Sequence, residues 1–338
     1  MKQLSLTKLW NNSLILTDRE MKERDYAWAS ELGKSKVDRF LAMKAVKPTN
    51  PPNDRSRRKF FAGNIWEFIA GLVLWQMGII INKQEEVWTE DMPLRVKGKL
   101  DYLVGGYPDY NKAREVISAL PFQKEITDRF MVVINNFEEE YGYEEIEEMV
   151  HELKSCSEYV IEKIQGGGAI LGHDLQIDHY LRGLKKGGGI LDYISKNDAL
   201  MAERWVKRSD ETDAKMREDL SELKGYLESN TRPPADPLIL FEEKFTKNFN
   251  VEYSAYLTLV YGYERPDQYA DAVKGKIASW NRVLGRLKQI EKGEKTKTGK
   301  EIKLTPKNQE AIDAMQSEGY NPYELAKVAQ VEMEEELA

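Results

Sequence analysis

Between residues 94 and 106 the sequence reads LRVKGKLDYLVGG, with apolar and polar side chains alternating at period two. In an extended chain Leu94, Val96, Leu100, Tyr102 and Val104 fall on one face. Arg95, Lys97, Lys99 and Asp101 fall on the other. A half-buried strand or hairpin arm satisfies this pattern and a helix does not. The chain must therefore build a sheet with a packed side and a charged side.

A second candidate strand lies at MVHELKSCSEYV (149–160). There Glu152 and Lys154 share one face and Leu153 takes the opposite one. Glu-x-Lys also occurs at Glu20/Lys22, Glu222/Lys224, Glu242/Lys244 and Glu301/Lys303, so the triplet alone is no signature. A solvated strand face with a surface ion pair, worth about 0–1 kcal/mol, is its plain reading. A buried carboxylate and ammonium side by side need partners, and a divalent cation and a phosphate are suitable ones. Asp101 is the natural second acid. Pro108-Asp109, after Gly105-Gly106, is a rival that reads as a turn. Glu67 is a candidate third acid inside an apolar helical segment, and a helix-surface position is its alternative. His173, Gln176 and Tyr180, spaced i, i+3, i+7, form a polar stripe on a following helix. His173 fits a DNA contact or a structural role equally well.

Composition narrows the class. The chain has 338 residues, 41% hydrophobic and 32% charged, with a net charge of −7. That supports one large domain with appendages or two modest ones. The acidic balance argues against coating nucleic acid by bulk charge but leaves room for a local basic groove. Cys156 is the single cysteine, which excludes an intramolecular disulfide and a cysteine-ligated iron–sulfur cluster within one chain. The N-terminus lacks the apolar core of a signal peptide. The apolar run 65–81 carries Glu67 and Gln76, is short for a membrane span, and reads as a buried helix entering a strand. The expectation is a cytoplasmic protein with no membrane partner (host cytoplasm if phage-encoded).

Along the chain, residues 1–54 read as a mostly helical segment. A proline-rich loop over 47–61 ends in Arg55, Arg57, Arg58 and Lys59, and a helix follows from about Gly63 to Gly78. Residues 107–148 read as a helical insertion with an acidic end. Gly166–Gly168 and Gly187–Gly189 bracket a helix over 169–185, and 189–208 reads as a hairpin. A charged helix covers 210–229, TRPPADP (231–237) is a linker, and another helix covers 266–290. Thr305-Pro306 and Asn321-Pro322 each look like a helix N-cap with proline at the first position. The domain reading is an N-terminal segment 1–54, a core 55–208, a helical and aromatic part 209–290, and a lysine-rich linker with short helices over 291–338.

GNIWE (63–67), GKLD (98–101), ELK (152–154) and QIDHY (176–180) occur in that order. Together they resemble the PD-(D/E)XK nuclease superfamily in its RecB-like exonuclease branch. That branch includes nuclease domains of recombination enzymes, CRISPR-associated adaptation nucleases and many phage exonucleases. Its motifs are an acid or histidine on a first helix, G-x-x-D on one strand, (D/E)-x-K on the next, and Q-x-x-x-Y on the following helix. The resemblance covers about residues 55–208, and GGGILDYISKND resembles the hairpin after the last motif.

The resemblance implies an α/β (α+β) fold with a restriction-endonuclease-like core. A central mixed β-sheet would be flanked by helices, with a helical insertion and a helical C-terminal extension. It implies a catalytic trio of Asp101, Glu152 and Lys154. Mg²⁺ or Mn²⁺ would be held by Glu67, Asp101, Glu152 and the Leu153 carbonyl. Gln176 and Tyr180 would support the site or hold DNA, with His173, Arg57, Arg58, Lys59 and Lys99 on the DNA side. A basic rim would add Arg55, Lys97, Lys185 and Lys186. The activity implied is a metal-dependent DNA exonuclease, a phosphodiester hydrolase in recombination, repair or phage DNA processing. A structure-specific or restriction-like endonuclease, or a non-catalytic DNA-end or recombination-partner binding protein, are the alternatives. DNA is the expected partner, with a homo-oligomer or a recombination protein as a second. Two departures stand out. The gap of 51 residues from Asp101 to Glu152 is long, so the insertion must loop out of the sheet. Some branch members carry a cysteine-bound iron–sulfur cluster in a C-terminal segment. Residues 246–263 resemble that segment without its cysteines, so no cluster is expected, and packing of Phe249, Tyr253, Tyr256 and Tyr261 would replace it.

Overall fold

The structure, a computed structural model, describes residues 21–52, 54–296, 298 and 300–327. The chain forms two compact units. The first runs to Lys47 and from Pro51 to Pro233; the second takes Pro48–Asn50 and the chain from Pro234 onward.

The first unit opens with β1 (Tyr26–Trp28), a 3₁₀ turn (Ala29–Glu31) and α1 (Lys36–Met43), capped by the Ser35 hydroxyl. The described part of the N-terminal fifty residues was expected to be helical and contains this strand because Tyr26 and Trp28 share a face in extended form. Residues 1–20 lie outside the described range. Helix α2 (Asp54–Gln76) begins well before Gly63, so Arg57, Arg58 and Lys59 are helical and not in a loop. It is not fully buried: Phe60, Phe68 and Trp75 are more than half exposed.

Strands β2 (Ile80–Lys83), β3 (Glu86–Thr89), β4 (Arg95–Lys99) and β5 (Tyr102–Gly106) follow. The alternating stretch 94–106 is thus two strands and not one. β4 is the middle strand of a three-stranded sheet of order β1-β4-β3, while β5 enters a five-stranded sheet. Leu100 and Asp101 make the break. Helices α3 (Tyr110–Ala119) and α4 (Lys124–Tyr141) form the helical insertion, with Asp109 serving as N-cap for α3. The insertion does not stand off from the sheet. Tyr110, Ala113, Ile117 and Ile134 pack with Met77, Ile79, Tyr102 and Val104 into one buried cluster. An apolar stripe on each helix is what brings it back onto the strands.

The remaining elements are β6 (Ile146–Cys156), α5 (Glu158–Gln165), α6 (Leu171–Gly183), β7 (Gly188–Ser195), β8 (Met201–Lys207) and α7 (Asp210–Glu228). The large sheet has the order β2-β5-β6-β7-β8. Its pairs are antiparallel except β6 with β7, which is parallel. The protein therefore has a central mixed sheet flanked by helices. Tyr102 sits in register with His151 and donates its hydroxyl to the Glu67 carbonyl at 2.5 Å, which places α2 over the His151 face. Helix α6 covers the opposite face, where Glu152 and Lys154 point. Arg39 of α1, almost fully buried, pairs with Asp219 of α7 through two 2.6 Å hydrogen bonds.

In the second unit β9 (Ile239–Phe241) and β10 (Phe245–Lys247) form a hairpin. A short helical turn α8 (Phe249–Glu252), a π turn (Leu257–Tyr261), α9 (Pro266–Glu291) and α10 (Pro306–Ser317) follow. Asn281 holds the hairpin by bonding both the N–H and the carbonyl of Phe245. Trp280, Tyr269, Leu257, Val283 and Ile312 build the core. The Thr305 hydroxyl caps α10, and residues 322–327 are helical after Asn321. The expected packing of four aromatics is only partial. Tyr256 is buried, but Phe249 and Tyr253 are more than half exposed and stack on each other at 6.3 Å.

Candidate active site

β5 pairs with β6 only as far as Tyr102 with His151, whereas β7 accompanies β6 to Cys156. The half of β6 from Glu152 onward is therefore unpaired on the β5 side, and Asp101 fills that edge. Its Oδ2 accepts the Leu153 amide at 2.9 Å, and its own amide donates to Glu152 Oε2 at 3.3 Å. The structure thus brings Asp101, Glu152 and Lys154 together across the long insertion. Glu152 is 3% exposed. Its Oε1 accepts Lys154 Nζ at 2.7 Å and Gln176 Nε2 at 2.7 Å. Lys154 Nζ also donates to Gln176 Oε1 at 2.8 Å. Gln176 in turn donates to the Tyr180 hydroxyl at 3.0 Å, and that hydroxyl donates to the Lys99 carbonyl at 3.0 Å. One turn of α6 is thereby tied to both sheets, and the Glu152, Lys154, Gln176 and Tyr180 side chains each have a partner.

Glu67 approaches from α2. Gln84 Nε2 donates to Glu67 Oε1 at 2.8 Å and to Asp101 Oδ1 at 3.3 Å. Gln84 was not anticipated: it sits at φ 55°, a left-handed position that nothing in its residue type announces. Burial, then the charges of Glu152 and Glu67, raise the Asp101 carboxyl well above the usual range; Lys154 and the Leu153 amide pull it back. Burial also raises Glu67, against the pull of Lys83. Burial, with Lys154 and Lys34 nearby, holds the His173 imidazole down at about 4, so it is neutral at neutral pH, 3.1 Å from the Tyr193 hydroxyl. Lys34 is a second residue the sequence reading passed over; its loop runs beside the start of α6, where Gly33 lies against Gly172.

The basic residues divide. Lys99 is exposed at the end of β4, two residues before Asp101, and makes no ion pair among the described residues. Arg57, Arg58 and Lys59 lie in the first turns of the helix that carries Glu67; Arg57 donates to the Pro52 carbonyl, and among the described residues no hydrogen bond ties any of the three to the carboxylates. The Arg55 side chain lies outside the described residues. Lys185 and Lys186 sit past the far end of α6, where Lys186 pairs with Glu148.

The donor set suits a hard divalent cation. Asp101 and Glu152 place two carboxylates against one Lys154, and the Asp101 carboxyl is raised by burial first and then by the neighbouring charges of Glu152 and Glu67. Among the described residues no group of three or more His, Cys, Asp or Glu is disposed to hold an ion by itself. Main-chain and water oxygens would have to complete the shell. A strand residue turns its N–H and C=O to the same side. Since the Leu153 amide faces Asp101, its carbonyl does too.

No protein-family model matches the chain, and no curated protein matches it. Among solved structures, SSO0001 is 11% identical over 77% of this chain and 98% of its own, with a TM-score of 0.40. The alkaline exonuclease LHK-Exo from Laribacter hongkongensis is 11% identical over 66% of this chain and 93% of its own, with a TM-score of 0.32. The same enzyme in complex with dAMP gives 11%, 66%, 93% and 0.36. At these scores the likenesses carry no weight for activity. No described helix is long and apolar enough to cross a membrane.

Proposed function

We propose that the chain is a divalent-metal-dependent deoxyribonuclease of the RecB-like exonuclease type, acting in DNA recombination, repair or phage DNA processing. The observation that supports it is the convergence of Asp101, Glu152 and Lys154 at the unpaired edge of β6, cross-braced by Gln176. The exonuclease assignment rests on the four ordered motifs. Asp101, Glu152 and the Leu153 carbonyl would hold Mg²⁺ or Mn²⁺, with Glu67 as a further acid behind Gln84. When bound, the ion would supply Lewis-acid activation of water and stabilisation of the leaving oxygen.

The chain's own groups do the rest. Lys154 is fixed between Glu152 and Gln176, where its ammonium neutralises charge developing on the phosphate. Gln176 holds both Glu152 and Lys154 in one rotamer each, so little reorganisation is needed at the moment of reaction. The Tyr180 phenol, raised by burial above its ordinary range, stays protonated as a donor.

The test incubates the protein with Mg²⁺ or Mn²⁺ and end-labelled linear and circular DNA, single- and double-stranded. Release of nucleotides from linear ends only, lost about 10²–10³-fold in Glu152→Gln and Lys154→Ala, is the expected result. Cutting of covalently closed circles would make it an endonuclease. DNA binding without cleavage under any metal would leave a binding protein and sink the catalytic reading.

A further inference from the structure

The three-stranded sheet buries one face and exposes the other. Ala27, Val87, Thr89, Val96 and Gly98 point inward. The outward side chains on the middle strand are Arg95, Lys97 and Lys99, a basic row that ends two residues before Asp101. Beside it stand three large rings. Trp28 and Trp88 are each in register with Lys97, and Tyr26 with Arg95. Lys97 Nζ lies 4.8 Å from the Trp88 ring centroid, 5.5 Å from Trp28 and 5.7 Å from Tyr26; Arg95 lies 5.3 Å from Trp88. All three rings remain half-exposed. Beside this cluster a cavity of about 360 Å³ is lined by Trp28, Ser30, Gly98, Lys99, Gln176 and Tyr180. Of those residues Gln176 donates to Glu152 and to the Tyr180 hydroxyl, so the wall of the cavity is also the brace of the carboxylate site.

We infer that this face is a stacking platform for an unpaired DNA strand, and that the cavity beside Trp28 receives the base next to the scissile phosphate. The inference rests on the nuclease reading for what happens at Asp101 and Glu152, but not for the binding itself. Rings interleaved with cations suit a chain of alternating π-faces and phosphates, and this recognition tolerates any sequence. A duplex fits poorly, because paired bases hide their faces within the stack. Alternate residues of a strand are roughly 7 Å apart, so Arg95, Lys97 and Lys99 can follow an extended backbone. Three ion pairs stand in the way, Lys97 with Glu86, and Arg95 with Asp25 and with Glu90. The three carboxylates are 53%, 78% and 63% exposed, and exposed pairs are weak enough for phosphates to displace.

The test measures binding in excess chelator, where no cleavage occurs, using fluorescently labelled oligothymidylate and a blunt hairpin duplex of equal charge. The expected result is tighter binding of the oligothymidylate, weakened about tenfold by Trp88→Ala and largely restored in Trp88→Phe. Lys97→Met should lower the slope of log affinity against log salt by about 0.7. That readout stands if Trp88→Ala fails to fold. Equal affinity for the duplex, or oligothymidylate binding indifferent to both Trp88 and Lys97 in folded variants, overturns the platform. Hydrolysis of bis(p-nitrophenyl) phosphate by the wild-type protein with Mn²⁺ reads the carboxylates without any base. Its absence alongside Trp88-dependent binding would overturn the nuclease and keep the platform.

Discussion

Asp101 and Glu152 are locked to each other through the main chain. The Asp101 amide donates to Glu152 Oε2, and the amide following Glu152 donates to Asp101 Oδ2. The two acids are therefore held in place before any ligand arrives, and their mutual repulsion is built into the fold.

Burial of the Asp101 carboxylate, and then that repulsion, have a measurable cost. The folded-state pKa of Asp101 is raised above its unfolded value, so its penalty is absent below about pH 4 and grows as pH rises toward the folded value. Asp101→Asn keeps the hydrogen bond to the Leu153 amide and removes the charge. In chelator it should melt above wild type at pH 8 and near wild type at pH 4, while losing all metal-dependent cleavage. Added Mg²⁺ should raise the wild-type melting temperature at pH 8 and leave the variant unmoved. Differential scanning calorimetry reads both.

Tyr180→Phe removes one hydroxyl that accepts from Gln176 and donates to the Lys99 carbonyl. Stability should fall by about 1 kcal/mol. Because Gln176 loses an anchor, kcat should fall about tenfold with KM little changed, marking the hydroxyl as a positioning group while the ring still walls the cavity. A selective rise in KM would contradict this.

His179 is fully buried with Thr89 Oγ1 2.8 Å away, and burial lowers its imidazole to about 4. Its folded pKa lies below the unfolded value, so its contribution is complete above about pH 6.5 and is lost as pH falls toward 4, at about 1.4 kcal/mol per pH unit. Asp101 and Asp178, both raised, shift stability the opposite way over the same range, so the quantity to measure is the wild-type curve minus that of His179→Gln. The difference should be flat above pH 7 and fall below it in urea titrations.

Gly98 faces the site at close quarters. A Cβ there would come within 2.4 Å of the Tyr180 ring and 2.9 Å of both Ala29 and His179. Gly98→Ala should cost about 1–3 kcal/mol through overpacking and displace Tyr180. Gly225→Ala, in α7 with open space around its Cβ position, is the control and should not destabilise.

Much of the site was legible because a strand's two-residue period puts Glu152 beside Lys154, and a helix's four-residue step puts Gln176 beneath Tyr180. Those are local rules. Asp101 was legible as a polar-face residue, but its lock on Leu153 depends on β5 beginning only at Tyr102, which no pattern in 94–106 marks. Gln84 was invisible because its role comes from a left-handed backbone that tertiary contacts impose. The helical pair 110–141 was recognisable as helices; that it packs on the sheet depends on which stripe meets Tyr102, a long-range fact. The grouping of Tyr26 and Trp28 with Trp88 was not legible, because the two segments meet only through pairing with β4.

Only Leu100 and Asp101 separate the last residue of β4 from the first of β5. The acid at the centre of the candidate site is thus the link between two sheets, with no slack on either side. A tilt of the small sheet must tug that carboxylate, and a pull on the carboxylate must rock the small sheet, like a crank on a short shaft.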